Sequence, residues 1–166
     1  LAACTKIFHI SMKYRGLDMK QKRWIYGAIG VLVLLFAGLV YAWSVLASPI
    51  KVFFQDWSST KLSFTFTLCM MFFCLGGLLN GLLSERISPK ITLKASAVLF
   101  ISGFFLASKA ESIIALYVGY GILAGLASGL AYNSIMGNIT KFFPDCPGLI
   151  SGVLLMGFGV GSFIIG

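Results

Sequence analysis

The chain has 166 residues, 58% of them hydrophobic and 11% charged, with a net charge of +8 and a mean hydropathy of +0.95. A soluble domain carries about 25% charged residues, so the composition excludes a water-solvated fold and points to one that uses lipid as its solvent. The positive charge does not mark a nucleic-acid binder, because no basic patch interleaved with base-stacking aromatics occurs outside the apolar runs.

Residues 1–22 are polar and basic, without the apolar core or cleavage site of a signal peptide, and are read as a cytoplasmic amino-terminal segment. Met19 and Met12 are candidate starts, and a start at Met19 would leave residues 1–18 upstream. His9 is the sole histidine, and Cys4, Cys69, Cys74 and Cys146 lack ligand spacing, so neither a metal nor a cofactor is expected. Five apolar runs follow, at about 24–48, 62–83, 91–108, 113–136 and 149–166. Each reaches or approaches the ~20 residues that cross a ~30 Å hydrocarbon core. They predict an all-α membrane protein with five transmembrane helices, since no amphipathic segment is present to cover them in a soluble bundle.

In helix one, Tyr41, Ser44 and Ser48 share a face below Ala37 and Gly38. Such a small, polar face either lines a cavity or forms interhelical hydrogen bonds. Between helices two and three, GLLSERISPK crowds Glu85, Arg86 and Lys90 into six residues. Helix four spaces Gly121, Gly125 and Gly129 at four-residue steps, and helix five sets Gly148, Gly152, Gly159, Ser162 and Gly166 on one stripe. Both stripes are read as sites of close helix packing, where small residues let backbones approach.

Basic residues fix an expected orientation. Lys6, Lys13, Arg15, Lys20, Lys22, Arg23, Arg86, Lys90, Lys94 and Lys141 fall on one side, ten of the thirteen, leaving Lys51, Lys61 and Lys109 for the other. The positive-inside rule then makes the amino terminus cytoplasmic, and with it the loop holding the sequon Asn138-Ile139-Thr140.

Internal repetition is the most informative pattern. Gly38-Leu39-Val40-Tyr41 in helix one echoes Gly129-Leu130-Ala131-Tyr132 in helix four, and Met71 to Gly81 in helix two echoes Met156 to Gly166 in helix five. Two echoes in matching order describe a repeated three-helix unit. Three is odd, so the second copy is inverted, as in secondary transporters. The repeat makes Tyr41 and Tyr132 counterparts, expected to gate or line the outer and inner path respectively, with interface anchoring as the other reading. Asn133 joins them as a candidate on the substrate path.

GLLSERISPK resembles the G-x-x-x-D-R-x-G-R-K loop of the major facilitator superfamily, with Gly81, Glu85, Arg86 and Lys90 in matching places and Ser88 and Pro89 departing from it. RWIYGAIG, YAWSVLASPI and GLAYNSIMGNITKFFPD resemble the oxalate/formate antiporter group, over roughly 23–166. The family usually follows Pro-Asp with basic residues, where this chain has Cys146-Pro147. The resemblance implies an inverted 3+3 helical repeat truncated in or after helix five, so that 23–166 is a partial amino-terminal half. The partners it implies are the lipid bilayer, a small carboxylate substrate and the missing carboxyl-terminal half, in a multi-pass plasma (inner) membrane protein that is not an enzyme. It implies alternating-access exchange of oxalate/formate-type mono- or dicarboxylates, with the charged loop as a conformational switch, although interfacial anchoring explains those charges as well. The alternatives are a non-transporting membrane scaffold, or a transporter of the same superfamily for another substrate.

Overall fold

A computed structural model of the protein describes residues 23–54 and 56–165. The segment 1–22 and Gly166 lie outside the described residues.

Helix one runs from Arg23 to Phe53, 31 residues. The expected end at Ser48 is too early: Pro49 removes one backbone donor, yet the α-helical stretch Trp43–Phe53 continues through it. Lys51 therefore belongs to the last turn of the helix and not to a loop. Midway, Gly38–Ala42 tightens into a 3-10 turn. Helix two spans Ser59–Leu83, started by Ser58, whose hydroxyl oxygen accepts from the Lys61 N–H. Helix three spans Pro89–Ser108. The two departures from the family loop acquire a reason here: Ser88 is its first flanking residue and Pro89 opens its first turn, where a missing N–H costs no hydrogen bond.

Helix four is longer than its apolar run, Ile113–Phe142. Ser112 caps the Ala115 N–H, Tyr117–Ala124 is π-helical, Gly125–Ile139 is α-helical, and Thr140–Phe142 closes in a 3-10 turn. Helix five spans Pro147–Ile165. All five helices are long and apolar enough to cross a membrane. Rings and branched chains such as Phe53, Ile101 and Phe163 stand exposed, as they must where lipid is the neighbour.

Helix four is the centre of the bundle, half buried along its apolar window, whereas helix three is only 11% buried and lies at the edge. Helix two packs along helix four: a Cβ on Gly129 would strike the Phe73 carbonyl, and one on Gly125 the Cys69 carbonyl. Helix five packs along helix one: a Cβ on Gly38 would strike the Phe158 carbonyl, and one on Gly161 the Leu35 carbonyl. Helices three and four cross at Gly103 and Gly119, each against the other's carbonyl.

The contacts repeat as the sequence does. Gly38 on Phe158 corresponds to Gly129 on Phe73, and Gly161 on Leu35 corresponds to Gly76 on Leu126. Ser128 donates to the Ala37 carbonyl at 2.7 Å. These two residues are themselves counterparts, each just before its G-L-x-Y, so the pseudo-twofold axis passes between them. The five helices thus form an inverted repeat in three dimensions.

Two apolar clusters stabilise the bundle. One joins Leu34, Ile135, Phe143, Ile150 and Leu154 near the Arg23 end. The other joins Val40, Trp43, Leu62, Leu116 and Tyr120 toward the opposite end. Tyr120 ties the second cluster to the 3-10 turn of helix one, its hydroxyl donating to the Val40 carbonyl at 2.9 Å. A tightened turn leaves carbonyls off the α-helical ladder, and lipid offers them no donor. A buried phenol from the neighbouring helix supplies one.

Candidate functional site

One face of the bundle is built from aromatic rings. Phe158 of helix five is nearly fully buried, at 6% exposure. Tyr41 meets its ring edge-on at 5.3 Å and 88°, and Tyr132 meets it at 5.0 Å and 48°. Phe73 of helix two adds contacts to Tyr132 at 5.7 Å and to Phe158 at 6.0 Å. These rings, with Leu155, Gly159 and Ser162, line an open cavity of about 600 Å³. Helices one, two, four and five each contribute a wall.

The two tyrosines were assigned to the outer and the inner path; in the structure both lie a few residues past the middle of helices longer than their apolar runs and share one aromatic neighbour. Among the described residues neither hydroxyl has a hydrogen-bond partner, while the other tyrosines of helix four spend theirs: Tyr117 on the Lys61 carbonyl and Tyr120 on Val40. A free phenol beside an apolar ring can donate to a carboxylate oxygen while its body packs against the carbon skeleton. No Lys or Arg lines this cavity among the described residues.

The remaining candidates lie elsewhere. Ser44 lines a second groove, of about 440 Å³, between helices one and two, with Ser48, Lys51, Ser59, Ser63, Phe66 and Thr67. Asn133 faces away from Tyr132, since adjacent helical residues differ by about 100° in direction. Its side chain donates to the Gly129 carbonyl at 3.0 Å and borders a polar cleft of about 610 Å³ at the Arg23 end. That cleft also holds Asn80, Gly81, Glu85, Ser134 and Lys141.

The charged loop caps helix two at that end. The Ser84 hydroxyl donates to the Gly81 carbonyl at 2.8 Å, and the Arg86 and Ile87 N–H groups both reach Leu83. Glu85, Arg86 and Lys90 are exposed. Nearby, Arg23 pairs with Asp145 at 2.8 Å and lies over the Phe143 ring at 5.0 Å. Asp145 stands just before the Cys146-Pro147 departure, so the loop between helices four and five is held by an arginine at the start of helix one.

Gly152 and Gly159, expected to pack, face open space. The contacts on helix five are made by Gly157, against Val31, and Gly161, against Leu35. Gly121, Gly125 and Gly129 lie along helix two against Leu68, Cys69 and Phe73. The sequence reading missed Phe73 and Phe158, although the repeat aligns them as the third residue of both Met71–Gly81 and Met156–Gly166.

Among the described residues no cluster of His, Cys, Asp or Glu could hold a metal ion.

Comparison with known proteins gives one family model, the Major Facilitator Superfamily, over residues 30–166. An MFS-type transporter of Escherichia coli (strain K12), YhjX, is 32% identical over 146 residues, 87% of this chain and 36% of that protein. The oxalate:formate antiporter of Oxalobacter formigenes is 29% identical over 140 residues, 84% of this chain and 33% of that protein. Monocarboxylate transporter 12 of Mus musculus is 31% identical over 113 residues, 68% of this chain and 23% of that protein. The chain thus spans about a third or less of the length of these relatives.

Proposed function

This chain belongs to the major facilitator superfamily, and on that premise we propose that it forms part of the amino-terminal half of a transporter exchanging small organic anions, mono- or dicarboxylates of the oxalate/formate type, by alternating access. The observation that carries the reading is the placement of two phenols, Tyr41 and Tyr132, neither hydrogen-bonded among the described residues, on the buried Phe158 ring at an open cavity. Phenols orient a carboxylate without neutralising it. A carboxylate in a low-dielectric site needs a countercharge, and in this reading that charge comes from the other half of the transporter. Similarity to an oxalate:formate antiporter and to a monocarboxylate transporter supports the substrate class.

In the same reading the Arg23 end faces the cytosol, and the loop at Glu85 joins and leaves the other half as the cytosolic side closes and opens. Counterflow tests the proposal. Proteoliposomes of the full-length protein loaded with unlabelled oxalate should accumulate labelled formate or oxalate many times faster than empty ones. Equal uptake with and without internal anion favours net monocarboxylate transport over exchange. No saturable uptake of either acid defeats the substrate assignment.

A further inference from the structure

The groove between helices one and two is rich in donors, and among the described residues no carboxylate lines it. Lys51 reaches across from helix one, its ammonium donating to the Ser59 hydroxyl oxygen of helix two at 2.7 Å. That bond leaves the Ser59 proton and the remaining ammonium protons free. Ser44, Ser48 and Ser63 add three hydroxyls whose protons no described residue accepts. Thr67 differs, its proton already given to the Ser63 carbonyl. The polar cleft at the opposite end is mixed in character, with the Glu85 carboxylate, the Lys141 ammonium and several side-chain amides in its walls.

The groove also leads somewhere. Lys51, Ser48, Ser44 and Tyr41 follow one another at steps of three, four and three residues, which is one face of a helix. At ~1.5 Å per residue the track is about 15 Å long. Its inner end adjoins the aromatic face through Phe66, which lines the groove and meets the Tyr41 ring edge-on at 6.3 Å.

We infer that this groove is an entry station for small carboxylates, in which Lys51 and the hydroxyls of Ser44, Ser48, Ser59 and Ser63 capture the anion and pass it along helix one to Tyr41. The station rests on the anion-exchange reading but differs from the central cavity. Here the charge is met by a lysine of this chain at the bundle's end, in contact with water, where a solvated ammonium attracts an anion at modest affinity. The anion then moves inward by exchanging serine hydroxyls, and no bond is made or broken.

The test uses the full-length protein in proteoliposomes, with labelled oxalate offered from either side. Lys51→Gln should raise the apparent KM about tenfold from the Lys51 side and not from the other, as expected for losing one charge-assisted contact. Lys51→Arg should restore most of it, and added salt should weaken capture by the parent protein more than by Lys51→Gln. Lys109→Gln, at the same end but outside the groove, should behave as the parent. An unchanged KM in Lys51→Gln, or an equal rise from both sides, overturns the station. If the parent transports no carboxylate, the anion-exchange reading fails on its own, and acylation of Lys51 by an amine reagent still decides this one. Oxalate, compared with equal ionic strength of chloride, should slow that acylation, and no protection overturns the station.

Discussion

Gly38 and Phe158 touch backbone to backbone, and Gly129 and Phe73 repeat that contact across the pseudo-twofold axis. Each glycine lets the neighbouring helix come close enough to set an aromatic ring beside the tyrosine three residues further along, Tyr41 in one copy and Tyr132 in the other. The packing motif and the candidate site are thus one arrangement. The G-L-x-Y echo records both.

Stability should follow those contacts. Gly38→Ala, Gly129→Ala and Gly125→Leu each force atoms into a facing carbonyl, and overpacking of this kind costs about 1–3 kcal/mol. Gly152→Ala and Gly159→Ala meet open space in the bundle and should leave folding unchanged. Thermal unfolding in detergent, with the yield of monodisperse protein, compares the two groups. Equal stability across all five would show that the crossings are looser than described.

The Arg23–Asp145 pair should prove unequal. Asp145 is 62% exposed at its side chain, and an exposed ion pair contributes about 0–1 kcal/mol. Arg23 is only 18% exposed and also covers the Phe143 ring. Arg23→Ala should therefore lower the melting temperature clearly more than Asp145→Ala. The same pair of melts checks it, and a larger loss in Asp145→Ala would contradict the account of that loop.

The membrane helices were legible because a lipid-facing helix must be apolar along its whole length, and no other element in the chain competes for that reading. Their ends were not. The apolar run breaks at Pro49, and only the structure shows the helix passing through it to carry Lys51 in its last turn. The glycines of helix five were ambiguous for a geometric reason: Gly148, Gly152 and Gly159 form one stripe and Gly157 and Gly161 another, and spacing alone does not say which meets a neighbour. The repeat does, since Gly161 aligns with Gly76. Tyr41 and Tyr132 were found from their echo, but their common neighbour Phe158 required the third dimension. Asn133 is next to Tyr132 in sequence, but neighbours on a helix point about 100° apart, and its side chain borders the polar cleft at the Arg23 end.

Orientation has its own check. The basic ends of helices one, two, three and four lie together, so a cysteine at Lys90 in the otherwise cysteine-free protein should react with an impermeant maleimide only from the cytosol. One at Asp56 should react only from outside. The reverse labelling would invert the bundle in the membrane and with it the proposed direction of the Lys51 track.

The central claim is that Tyr41 and Tyr132, on the two sides of Phe158, line the path of the transported anion. Exchange of a small dicarboxylate by the full-length protein in vesicles, for Tyr41→Phe, Tyr132→Phe and the two alanine variants, tests it most directly. If the phenol hydroxyls hold the carboxylate, the phenylalanine variants should raise the apparent KM about 10- to 100-fold, as for losing one hydrogen bond of ~1.5–3 kcal/mol to a charged group. The alanine variants, which also lose the ring packed on Phe158, should lower the maximal rate further. Parent rates and affinities in all four would mean that the rings only pack, and that the anion travels elsewhere.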